Sequence, residues 1–168
     1  PPQTQVKTKN AAGDKTGNGG VKEFTRYGVS SDGAKIAFDS FATDYDTVPV
    51  YPGSGPFHVY YGDPVLVDVR PDGQFSGNRT AFSPSLSADG RFLAVRTQGT
   101  ETTEVLLLDR EAGAWEVVSV DVNDRPIGSR TGAAGQPSVS GDGRYVAFTA
   151  ASARIQFVDG VKGTDERQ

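Results

Sequence analysis

Hydrophobic and polar positions along this chain alternate in short runs, each bounded by glycine, proline, asparagine or aspartate. Such a pattern predicts strands joined by tight turns rather than helices. Three stretches share one version of it. They are Val29-Ser30-Ser31-Asp32-Gly33-Ala34-Lys35-Ile36-Ala37-Phe38, Ser83-Pro84-Ser85-Leu86-Ser87-Ala88-Asp89-Gly90-Arg91-Phe92-Leu93-Ala94-Val95, and Val139-Ser140-Gly141-Asp142-Gly143-Arg144-Tyr145-Val146-Ala147-Phe148. Each predicts a strand, an Asp-Gly turn and a second strand. The turn residues are Asp32 and Gly33, Asp89 and Gly90, and Asp142 and Gly143, recurring after 57 and then 53 residues. That period suits the blades of a β-propeller better than a helical repeat.

In all three copies glycine stands last in the loop, where a type I turn followed by a left-handed residue forms a bulged hairpin. The aspartate before it can accept hydrogen bonds from nearby amides. The strand after the turn carries a large apolar pair on one face: Ile36 and Phe38, Leu93 and Val95, Val146 and Phe148. Alanine stands on the other face in every copy, at Ala37, Ala94 and Ala147, where a half-exposed sheet would show polar residues. Large on one face and small on the other predicts sheets stacked on like sheets, each bulky face entering its neighbour's shallow one.

The remaining pattern fills in around these hairpins. Thr4 to Lys9 predicts an edge strand, and Glu23 to Val29 and Lys35 to Asp39 the first hairpin. A long insertion, 41–56, is followed by strands Phe57 to Tyr61 and Val65 to Val69. The second repeat predicts four strands, Ala81 to Ser87, Arg91 to Thr97, Thr103 to Asp109 and Glu116 to Val122, with Arg110 to Trp115 as the last turn. The third offers its hairpin and a weak strand at Arg154 to Val158. The expected organisation is a single propeller segment, 1–168: an edge strand and loop, 1–22, belonging to a neighbouring blade; blade 1, 23–70; blade 2, 71–122; and an incomplete blade 3, 123–168. The expected fold class is all-β, with about three four-stranded antiparallel repeats forming an incomplete propeller.

Composition agrees: 21 glycines and 10 prolines among 168 residues favour many short strands. Lysine and arginine total 17 against 21 acids, with no block of either sign, so a basic footprint for nucleic acid is missing. No apolar run reaches the roughly 18 residues of a membrane helix. Without cysteine there is neither a disulfide framework nor a thiolate metal site. The chain opens on Pro1-Pro2, as a removed signal peptide, a proteolytic cut or an engineered boundary would produce.

The second and third stretches, Ser83 to Val95 and Gln136 to Phe148, closely resemble the WD40-like repeats of TolB-type β-propellers (the PD40 motif), with Ser-x-Asp-Gly before an aliphatic-Ala-Phe/Val strand. The first copy departs by carrying Arg26-Tyr27 where the others have Ser-Pro or Gln-Pro, and by its insertion. The resemblance covers most of residues 23–160. It implies four-stranded blades around a central channel, usually six or seven, in proteins commonly exported from bacterial cells. The expected location is accordingly secreted, periplasmic or extracellular. Three repeats fall short of the four to eight blades that close a propeller. The expected partner is therefore the remaining blades of a longer polypeptide or another protein chain.

Candidate chemistry is sparse. His58 is the only histidine, so a Ser-His-Asp triad would have to use it. No Gly-x-Ser-x-Gly elbow accompanies it, since Gly128-Ser129-Arg130-Thr131-Gly132 has arginine at its centre. No catalytic residue and no obligate cofactor is expected. Asp44 and Asp46, and Asp121 and Asp124, could offer oxygen ligands to calcium, but lack the glycine and distal glutamate of an EF-hand, and turn formation is the favoured reading. The insertion and the strand after it hold Tyr45, Tyr51, Phe57, His58, Tyr60 and Tyr61, which could anchor a protein or a sugar ring. The competing reading makes Phe57 and Tyr60 blade core. Asn78-Arg79-Thr80 matches a glycosylation acceptor. The expected function is a non-catalytic binding or scaffolding module of an exported protein that engages a protein or glycan. The alternatives are the propeller portion of a larger prolyl-oligopeptidase-like hydrolase, and a lectin.

Overall fold

In the computed structural model, which describes residues 12, 13, 15, 27–44, 58–62, 65–66, 80–99, 102–121, 123–127 and 134–150, each Asp-Gly turn joins the first two strands of one antiparallel sheet. Sheet I runs β1 (Tyr27–Val29), β2 (Ile36–Ser40), β3 (His58–Tyr61) and β4 (Val65–Leu66), in that order. Sheet II likewise runs β5 (Thr80–Leu86), β6 (Phe92–Gln98), β7 (Thr103–Asp109) and β8 (Ala114–Val117). Sheet III pairs β9 (Ala134–Val139) with β10 (Val146–Ala150). The described residues are all-β, with no helix and no closed sheet. The expected strands at Thr4 to Lys9 and Arg154 to Val158 lie outside the described residues.

The sheets stack as their two-faced strands require. Tyr27↔Phe38 and Phe38↔Tyr60 pair across sheet I, so the face bearing Ile36, Phe38 and Tyr60 is opposite the one bearing Ala37, Val59 and Tyr61. The alanine face meets sheet II: Ala37, Val59 and Tyr61 share one buried core with Ala81, Leu86, Leu93, Val95 and Leu108. Bulky Leu93 and Val95 thus occupy the space that small Ala37 leaves. The other face of sheet II, with buried Ala94, Val105 and Leu107, is covered in turn, since β9 lies against β5, β6 and β7.

Two strands carry a β-bulge just where proline enters. The registers of β5 and β9 slip after Phe82 and after Gly135, and Ser83 and Gln136 take φ of 55° and 51° immediately before Pro84 and Pro137. Proline has no N–H for the ladder, and a bulge is one of the few sheet sites that tolerates it. In β1, where Tyr27 stands in place of proline, the pairing with β2 is regular. The departure of the first repeat from the sequence pattern therefore has a direct backbone consequence.

Strands β2, β5 and β6 are offset by one residue from their expected bounds, and β8 departs further. The chain after β7 turns within four residues, because the Asp109 carboxylate accepts from the N–H groups of Glu111 and Ala112 and Gly113 takes φ of 64°. Strand β8 therefore starts at Ala114 and ends at Val117 rather than spanning Glu116 to Val122. Beyond it, Ser119 bends back, and its Oγ accepts from the Val105 N–H at 2.9 Å.

Candidate functional site

The recurring polar residues form one local device, built three times. In each turn the serine hydroxyl donates to the aspartate two residues on, at 2.6 Å for Ser30 to Asp32, Ser87 to Asp89 and Ser140 to Asp142. The same hydroxyl oxygen accepts from the N–H that opens the second strand, at 2.9 Å from Lys35, Phe92 and Tyr145. The aspartate accepts a further N–H, from Ala34, Arg91 or Arg144. Gly33, Gly90 and Gly143 close the loops at φ of 69°, 74° and 74°. Hydrogen bonding by the serine, then by the backbone, holds all three carboxyls below the usual aspartate range. The six turn residues named from the sequence thus fix the loop. The serine's part was missed, although its i, i+2 spacing to aspartate in every copy was the signal.

A second set of contacts ties the turns to one another. Ser31 N–H donates to the Ala88 carbonyl at 2.7 Å, and Ala88 N–H donates to the Gly141 carbonyl at 2.9 Å. These are equivalent positions between the serine and aspartate of successive turns. Tyr61 donates its hydroxyl to the Gly90 carbonyl at 2.9 Å, and the Arg110 guanidinium lies 3.4 Å from the centre of the Tyr61 ring. Asp39 accepts from the Ser83 N–H at the β5 bulge, and Ser85 Oγ accepts from the Val139 N–H. The first such contact joins sheets I and II, and the second joins sheets II and III.

The aromatic group expected to anchor a partner divides. His58, Tyr60 and Tyr61 are buried in β3, with Tyr60 stacked on Phe38 at 5.8 Å between ring centres. As described, these three are sheet core rather than an exposed patch, because a four-residue strand at the centre of a sheet is covered on both faces. Tyr60 also donates its hydroxyl to the Ala42 carbonyl at 2.5 Å, fastening the point where the insertion leaves sheet I. Tyr45, Tyr51 and Phe57 lie outside the described residues.

Of the acidic candidates, Asp121 caps its own turn. Its carboxylate accepts from the N–H groups of Arg125 and Asn123, which in that order hold its pKa low, and Asp124 takes φ of 59° within the same turn. Asp44 is half-buried and Asp46 lies outside the described residues. Among the described residues no group of three or more His, Cys, Asp or Glu converges as a metal site, and no helix is long and apolar enough to cross a membrane. Arg91 instead grips Asp109 through two hydrogen bonds of 3.0 and 2.7 Å, holding that carboxyl down at about 2. No protein-family model matches the chain, and a search of curated proteins found no relative.

Proposed function

We propose that this chain is a non-catalytic binding or scaffolding module of an exported protein, made of β-propeller blades, whose 41–56 loop engages a protein or glycan partner. The observation that carries the reading is the repetition of one junction. The link from Ser31 to Ala88 reappears from Ala88 to Gly141, and an alanine face meets a bulky face between the first two sheets. A stack built by one rule is a rigid frame, and frames of this kind commonly leave recognition to the loops they hold. The recurring polar side chains are occupied in shaping the turns, which leaves the insertion as the one element that breaks the repeat. Its base is fixed by the Tyr60 hydroxyl on Ala42 and by Ala42 N–H donating to Ser40 Oγ. The resemblance of the repeats to TolB-type propellers supports both the blade reading and export.

The test applies the labelled chain to glycan and peptide arrays beside a variant lacking residues 46–55. Specific binding that disappears in the variant, with an unchanged far-ultraviolet spectrum, is the expected result. Binding that survives the deletion, or no binding by the wild type, overturns the assignment to the loop.

A further inference from the structure

We infer that the two open ends of the stack are complementary, and that two copies of the chain join head to tail to close a ring of six sheets. This deepens the propeller reading above, and rests on it, by naming a partner. Three independent contacts recur between successive sheets, and among the described residues each leaves one unused half at either end.

The backbone link is the first. The turn of sheet I donates to that of sheet II, and sheet II to sheet III. The Gly141 N–H is the next donor and the Ser31 carbonyl the preceding acceptor. Neither has a hydrogen-bond partner among the described residues, and both residues are exposed.

The second contact seats the residue that follows one turn on the glycine of the next. A Cβ added to Gly90 would lie 2.9 Å from the Lys35 side chain, and one added to Gly143 would run into the Phe92 ring. The third member of this series is Tyr145, 46% exposed. The first glycine is Gly33, which has nothing within 4 Å of the equivalent point. A large exposed ring at the tail thus matches an open glycine seat at the head.

The third contact lies along the first strands. Leu86 packs on Gly28, and its counterpart Val139 reaches Ser85. Val29 occupies the same position in sheet I and is 47% exposed, while Ser138, the counterpart of Ser85, is exposed in sheet III. Tyr27, 73% exposed, extends the apolar head beside Val29. Tyr27, Val29 and Tyr145 are the large exposed hydrophobics of the described residues, and they stand at the two ends of the stack.

Head-to-tail contacts generate either rings or open filaments. Two copies of the three described sheets give six, within the range of roughly four to eight at which stacked blades close. Because the head and tail complement each other at all three contacts, a second copy of this chain fits both ends at once.

Sedimentation of the 168-residue chain from micromolar to submillimolar concentration should give twice the single-chain mass and nothing larger. Val29→Asp and Tyr145→Asp should each give monomer, with the sheet spectrum and the hydrogen-exchange protection of β6 retained. Mixed together they should recover a dimer, because the first brings an intact tail and the second an intact head. A monomeric wild type, a growing polymer, or a dimer that survives Tyr145→Asp would overturn the inference. Should either variant unfold, a mixture of Ser31→Cys and Gly141→Cys chains must form an intermolecular disulfide on mild oxidation, which the chain's lack of native cysteine makes easy to read. Failure to cross-link has the same force as a monomeric wild type. None of these changes touches residues 46–55, so array binding can survive the loss of dimerisation and the two proposals fail separately.

Discussion

Tyr61 leaves its own sheet to donate its hydroxyl to the carbonyl oxygen of Gly90, 2.9 Å away in the next one. The bond joins the end of β3 to the turn between β5 and β6, and Arg110 covers the ring. Tyr61→Phe keeps the ring and removes only the donor. Its expected cost is about 1–2 kcal/mol, since a buried carbonyl loses its partner. A lowered melting temperature, with unchanged near-ultraviolet aromatic packing, checks it.

Two glycines in the first repeat should respond unequally to alanine. At Gly28 the new Cβ would sit 2.8 Å from the backbone nitrogen of Leu86, a group that cannot swing aside. Gly28→Ala should cost on the order of 3 kcal/mol by forcing sheets I and II apart. On the monomeric Tyr145→Asp background, where no second copy fills the seat, Gly33→Ala meets open space and bears only the left-handed backbone at φ 69°, about 1 kcal/mol. Urea unfolding of the two variants side by side tests the ranking.

The turn serines are chemically identical and differ in burial. Ser87 is buried, whereas Ser140 is half-buried in a more exposed turn. Ser87→Ala deprives the Phe92 N–H and the Asp89 carboxylate of their partner at once, for an expected loss of about 2 kcal/mol. Ser140→Ala should cost less, because water reaches the Tyr145 N–H it abandons. Denaturant midpoints for the pair decide the point.

Acid should weaken the fold through the same carboxylates. Asp32, Asp89, Asp142 and Asp109 all titrate below their unfolded value of roughly 3.9, so their contribution is complete above that pH. It is lost as pH falls from near 4 towards about 2, where Asp109 finally takes up its proton. Melting temperatures measured across this interval should decline, and Asp109→Asn should make the decline shallower.

Much of the architecture was legible because it is written in side-chain size and in glycine. Alternation of Leu93 and Val95 with Ala94 announced a two-faced strand, and the Asp-Gly pairs marked each hairpin. The start of β8 was not legible, since the carboxylate of Asp109 sets the length of that turn through two backbone amides. Nor were the links between turns, because the bond that recurs from Ser31 to Ala88 and from Ala88 to Gly141 is main-chain to main-chain, and only Ser31 adds a side-chain bond, its Oγ donating to the Ala88 carbonyl at 3.0 Å. The burial of the aromatics on β3 was not legible for a related reason. Tyr60 and Tyr61 look alike as neighbours, yet alternation along β3 sends one to the Ala42 carbonyl and the other to the Gly90 carbonyl, both within the protein.

Since the recurring link between turns runs from one main-chain N–H to one main-chain carbonyl, with a hydroxyl added only at Ser31, side chains at Ala88 and Gly141 are free to drift without breaking that link. A duplicated repeat would arrive with its donor and acceptor already facing the correct way, and could be spliced in beside any existing one. The arrangement thus lends itself to growth and shrinkage by whole units during evolution, with no need to re-engineer the neighbours.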